Sequence, residues 1–257
     1  MEFLRPSRHR TLVSEIIYVL LNVLMALALF GIAVSGLGIA PALGLVLLSK
    51  WRIFAVRAQH WYANLVSNMV DVIVSVSFVV MLYLATGALI VQLVLTALYI
   101  AWLLFLKPQS KRKWVVAQAG VGLFVGVTAL MHVSYDWWAT PVVILMWVIG
   151  YTTGRHVLVA YKEPHFALLS LIWGLVVAEL GWLFYHWNFA YELSFAAGLH
   201  LSQAAIIVSM FGLLVERTYV SIRRHGTAQF NEILLPGLLA VSSIVVLLTV
   251  FSSTGGV

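Results

Sequence analysis

The sequence predicts an all-α polytopic membrane protein, a transmembrane helical bundle of about nine spans with the N-terminus inside and the C-terminus outside. Three observations carry this expectation. Hydrophobic residues make up 63% of the chain and charged residues 9%, with a mean hydropathy of +1.02, whereas a soluble domain is about 25% charged. The apolar runs are close to the ~20 residues that a helix needs to cross the hydrocarbon core, and none alternates strictly as a barrel strand does. All fifteen Lys and Arg fall in segments that a nine-span threading puts on one side, the asymmetry of cytoplasmic loops.

The first run is 12–35. Arg5, Arg8 and Arg10 precede it, but it is longer than a signal peptide's apolar core and lacks a clear small-residue cleavage site, so it is expected to be retained. Residues 1–11 then form a short cytoplasmic segment, and 1–257 a single integral membrane domain. The second run, 36–56, is the weakest, because only 36–49 is cleanly apolar, a length more typical of re-entrant or interfacial segments. Charge decides for a crossing. With it, Arg5 to Arg10 share the inner side with Lys50, Arg52 and Arg57; Lys107, Lys111, Arg112 and Lys113; Arg155 and Lys162; and Arg217, Arg223 and Arg224. The outer connections then hold no Lys or Arg. The long stems of Lys50 and Arg52 let the second helix run through Val56. The remaining runs are 65–86, 88–106, 114–133, 139–160, 166–185, 193–215 and 234–252.

Trp51, Phe54, Ala55, Ala58 and Trp61 would share one face of a helix lying in the cytoplasmic interface. Trp51, Arg52, Arg57 and Trp61 are read first as an aromatic and basic membrane-surface anchor, and second as a site for anionic lipid headgroups. Tyr135, Trp137, Trp138, Tyr185, Trp187 and Tyr191 form the outer aromatic belt. Gly122 and Gly126 make a GxxxG suited to close packing within the bundle rather than to dimerisation. Pro141 and Pro236 fall in first turns, where the missing N–H costs little.

Ionisable groups inside spans are costly and tend to face the bundle interior. Asn64, Asn68, Asp71 and Ser75 recur at helical spacing on one face of the third span. Asp71, the deepest acid there, either forms a structural ion pair with Arg57, Arg155 or another inner basic residue, or binds a cation or proton at the base of a cavity. Toward the outside, Glu179 precedes His186 by seven residues and His200 follows Leu193 by seven, which puts both ~10 Å below the boundary. On consecutive antiparallel helices Glu179 and His200 would face each other, with Gln203 one turn deeper, as a proton relay, a metal site or a packing hydrogen bond.

Other chemistries find little support. Every Lys sits at a helix end or in a loop, against a retinal Schiff base. HExxH, Walker A and GxSxG sequences are absent. The chain has no Cys, which excludes thiolate metal sites and disulfides. The net charge of +6 belongs to helix ends, so no nucleic-acid partner is expected. No cofactor is predicted, and a haem on His132 and His200, or a metal ion, is the minor alternative. The leading expectation is a protein of the cytoplasmic (inner) membrane that binds or moves a small solute, ion or lipid. A non-catalytic subunit scaffolding a membrane partner comes second, and an embedded enzyme or haem/metal protein using Glu179 and His200 third.

Overall fold

In the computed structural model, residues 12–187, 190–192 and 200–249 are described. Their helices are α1 (Leu12–Val34), α2 (Ile39–Ser49), α3 (Trp61–Leu84), α4 (Leu89–Ala101), α5 (Arg112–Val133), α6 (Ala139–Ala160), α7 (Phe166–His186), α8 (Gln203–His225) and α9 (Phe230–Thr249). Two three-residue strands, β1 (Ala190–Glu192) and β2 (His200–Ser202), pair antiparallel between α7 and α8. Among the described residues, eight helices are long and apolar enough to cross a membrane, all except α2. The protein is an integral membrane bundle of α-helices.

α5 lies at the centre, packed on α3, α6 and α8. One apolar core joins α1 to α4 through Leu29, Val46, Val79, Leu82 and Leu103. A second joins α5 to α8 through Val127, Val142, Met146, Val177 and Val208. The two meet where α3 crosses α5. A Cβ on Gly126 would lie 2.8 Å from Ile73 Cγ2, and one on Gly122 would lie 3.0 Å from Val70 Cγ1, so this GxxxG serves contact within the chain. The tightest seam is α6 against α7. There Gly150 backs onto Val177 and Gly154 onto Trp173, with built Cβ contacts of 2.6 and 2.7 Å. Gly150xxxGly154 has the spacing of the α5 pair, a signal the sequence reading passed over.

The second apolar run differs from its expectation. α2 ends at Ser49 after 11 residues, ~16 Å of helix, and 3₁₀ turns follow at Trp51–Ile53 and Ala58–His60. Two interactions compete with continued helix: Lys50 turns its ammonium to Asp71, and Asn64 Nδ2 donates to the Ile53 carbonyl at 2.7 Å. The expected single helical face from Trp51 to Trp61 therefore does not form. Instead Trp61 Nε1 donates to the carbonyls of Phe54 and Val56 at 3.1 and 2.9 Å.

The run still returns along the length of α3. Its start is tied by the Tyr83 hydroxyl, which donates to the carbonyls of Leu37 and Gly38 at 2.8 Å each, and its end by Asn64. Asn64 and Tyr83 are separated by nineteen positions on α3, ~28 Å of helix. Near the start of α1, the Tyr18 hydroxyl donates to the Leu103 carbonyl at 3.1 Å, beside the Trp102 that faces Asp71. α1 and α3 therefore point the same way.

Two further boundaries move. α9 begins at Phe230, which makes Pro236 an interior residue rather than a first-turn one. α8 begins at Gln203, ten positions after the expected start; His200–Ser202 just before it form β2, and 193–199 lie outside the described residues.

Candidate functional site

Three charged side chains meet inside the first half of the bundle. Lys50, the C-cap of α2, contacts Asp71 Oδ2, and Lys107 Nζ lies 3.0 Å from the same oxygen. Trp102 Nε1 faces the other carboxylate oxygen at 3.4 Å. Asp71 is ten positions into α3, ~15 Å along the helix from Trp61. The Lys50 side chain is 8% exposed and Asp71 14%, while Lys107 keeps 34%. Buried charges persist where they are paired, yet here two ammonium groups share one carboxylate. Counted with both ammonium groups ionised, two lysines against one carboxylate sum to one formal positive charge.

The backbone is shaped to make this possible. α4 passes into a π-helical turn, Trp102–Leu106, closed by Lys107 N donating to Trp102 O at 2.8 Å. In a regular α-helix residues five apart diverge by about 140°, whereas the i→i+5 closure brings Trp102 and Lys107 to one side, both toward Asp71. Such turns recur at functional sites. Gln118 of α5 holds the turn: its Nε2 donates to the carbonyls of Leu106 at 2.6 Å and Gln109 at 2.9 Å. Its Oε1, which can only accept, lies 2.9 Å from His156 Nε2 of α6. Beneath Asp71, Ser75 Oγ donates to the Asp71 carbonyl at 2.6 Å and accepts from the Tyr99 hydroxyl at 3.0 Å.

Each expected site residue has a distinct fate. Asp71 pairs with basic residues, and these are Lys50 and Lys107 rather than Arg57 or Arg155. The ion pair is the first of the two readings given for Asp71, and both ammonium groups would repel a further cation. Asn68 is spent locally, with Nδ2 donating to the Asn64 carbonyl at 2.7 Å. Trp51, Arg52, Arg57 and Trp61 are exposed around the 3₁₀ turns.

Glu179 does not form the expected inward pocket. It lies on the exposed face of α7 with Ile172, Leu175, Trp182 and Leu183. The backbone of His200 belongs to β2, three positions before α8, so the equal depth assumed for Glu179 and His200 does not hold. The His200 side chain lies outside the described residues. α7 packs chiefly on α6, whereas α8 packs on α5 and α9. Gln203 is 1% exposed at the start of α8, with no hydrogen bond to its amide atoms among the described residues.

A second polar cluster occupies the ends of α6 and α8. Lys162 adopts a left-handed φ of 54°, and Glu163 N donates back to Leu158 O at 3.1 Å. This turn aims the Glu163 carboxylate at α8, where it accepts from the Tyr219 hydroxyl at 2.5 Å and from Arg223 at 3.1 Å. The Tyr219 hydrogen bond first, then the His165 backbone N–H and after it Arg223, hold the Glu163 carboxyl below its ordinary range. A depressed carboxyl stabilises the fold above the unfolded range near ~4.3 and loses that contribution as pH falls through the lower folded value. Melting curves across acidic pH should therefore fall less steeply for Glu163→Gln than for the parent. Identical slopes would show that the contact carries no linkage.

Lys50, Lys107, Trp102, Gln118 and His156 were not singled out as site residues in the sequence. Gln118 and His156, polar groups inside otherwise apolar runs, were a usable signal. The convergence of Lys50 and Lys107 was not, because it depends on the break after α2 and on the π turn. With this geometry in hand, comparison with known proteins adds no relative: no family model, curated protein or solved structure matches the chain.

Proposed function

We propose that this integral membrane protein binds a small monovalent anion at the Lys50–Asp71–Lys107 cluster and moves it across the cytoplasmic membrane. The observation that carries the reading is charge: two cations on one buried carboxylate leave one positive charge, which a monoanion would neutralise. The half-length helix supports it, since interrupted helices and irregular backbone at membrane depth belong where a cavity or ion path is lined. A panel of halides, nitrate, formate and acetate, added at constant ionic strength to the purified protein, is expected to raise the melting temperature for a subset that saturates. No saturable response to any anion would contradict the reading.

The proposal includes nine crossings, with all Lys and Arg on the cytoplasmic side. The parallel course of α1 and α3 and the ~28 Å return beside α3 support the second crossing. Topology reporters fused to the C-terminus and inserted in the 107–113 loop should report opposite sides, the loop inside. A cytoplasmic C-terminus would refute the nine-crossing count.

A second reading, a subunit that assembles with a membrane partner, rests on Glu179. An acid among apolar side chains on an exposed helix face, with no ion pair among the described residues, is costly in lipid. A partner helix bearing a cation or hydroxyl would relieve that cost. Loss of a co-purifying membrane protein on Glu179→Leu would favour this reading.

A further inference from the structure

We propose that the cleft between the start of α5 and the inner ends of α6 and α8 binds a phosphate group, carried either by a lipid headgroup or by a free phosphomonoester. It is distinct from the Lys50–Asp71–Lys107 cluster and from the Trp51–Trp61 surface. The cleft has a volume of about 520 Å³, within the range of small-ligand sites. Arg112, Lys113, Arg217, Arg223 and Arg224 line it, with Glu216 and the Tyr161 hydroxyl in the wall.

The charges are unevenly matched. Glu216 takes Arg217 at 3.5 Å, Glu163 takes Arg223 at 3.1 Å and Glu232 takes Arg224 at 3.6 Å. Arg112 and Lys113 have no acidic partner among the described residues; Arg112 instead lies 5.7 Å from the centre of the Tyr161 ring. Two positive charges are thus left over, which matches a phosphomonoester near −2. One Glu216 oxygen accepts from Tyr161 at 2.8 Å, and the other, buried and without a hydrogen bond among the described residues, lies 3.5 Å from Arg217 Nε.

Geometry adds to charge. Arg112 and Lys113 are the first two residues of α5, and its N-cap, Lys111, supplies no side-chain capping bond. Trp114 N already donates to Lys111 O at 2.9 Å, and the positive end of the helix dipole favours an anion beside this terminus. Guanidinium groups recognise phosphate through paired N–H bonds. Val116 and Val220 provide an apolar wall for the carbon atoms next to the phosphate. Basic pockets between spans on the cytoplasmic side are a known setting for phospholipid headgroups, and the same chemistry suits a soluble phosphate ester.

The test uses the full chain in a zwitterionic detergent at constant ionic strength. Glycerol 3-phosphate probes the free ligand; dioctanoyl phosphatidic acid, against dioctanoyl phosphatidylcholine, probes the lipid. Thermal stabilisation gives an apparent dissociation constant, and native mass spectrometry gives stoichiometry. Binding by either phosphate probe, weakened roughly tenfold or more by the pair Arg112→Gln/Lys113→Gln and unchanged by Arg52→Gln/Arg57→Gln, supports the site. A response to glycerol 3-phosphate indicates a soluble ester, and a response to phosphatidic acid alone indicates a headgroup. Arg217→Gln, which leaves the start of α5 intact, is expected to weaken binding independently should the pair fail to fold. No response in the parent, or equal weakening by the Arg52/Arg57 control, overturns the proposal.

Discussion

Asp71→Leu is expected to destabilise the protein by roughly 3–5 kcal/mol, the cost of removing one partner from a buried ion pair and stranding the other. The damage falls mainly on Lys50, whose side chain is 8% exposed, and less on Lys107, which keeps 34% and can be hydrated. Deleting the trapped cation as well should recover part of the loss: Lys50→Met/Asp71→Leu should melt above Asp71→Leu alone, because an apolar pair leaves no unsatisfied charge. Asp136→Asn, at an exposed position between α5 and α6, should melt with the parent. Thermal unfolding of the four proteins in one detergent checks this. An Asp71→Leu protein as stable as the parent would remove the cluster from any account of the fold.

The second large effect is steric. Gly150→Ala would set a methyl 2.6 Å from the Cβ of Val177, and a branched side chain on a facing helix cannot swing away as a Met or Lys could. Overpacking of this kind costs typically ~1–3 kcal/mol, here by forcing α6 and α7 apart. Removing the Cβ itself should relieve it, so Gly150→Ala/Val177→Gly is expected to be more stable than the sum of the single changes. Gly120→Ala, where a Cβ would meet nothing within 4 Å, is the matched control. Strict additivity of the Gly150 and Val177 changes would mean that the two helices do not meet at this point.

What could be read in advance follows from what one dimension can carry. Membrane span is a signal of length and apolarity, so the class was legible and most helices lie within four residues of their runs. Rotation is not such a signal. Glu179 and His200 were matched by depth alone, and the match failed because Glu179 turns outward with Leu175 and Trp182 and because residues before Gln203 enter β2. Three-residue strands have too few positions to show alternation. The polar stripe of α3 was legible, and Asn64, Asp71 and Ser75 all make bonds off their own side of it. Its partners were not, because Lys50 and Lys107 reach Asp71 only where two helices depart from α geometry, at the early stop of α2 and the π turn after α4.

The central claim, that one uncompensated positive charge at this cluster takes a monoanion, is tested most directly by Lys107→Gln. Removing the more exposed ammonium leaves the Lys50–Asp71 pair intact and neutral, so the parent melting temperature should be largely kept while the need for an anion disappears. Anion-dependent stabilisation should then be measured side by side on the parent and Lys107→Gln proteins. The account predicts a saturable rise in the parent and roughly tenfold or greater weakening in Lys107→Gln. Equal anion affinity in the two proteins would contradict it.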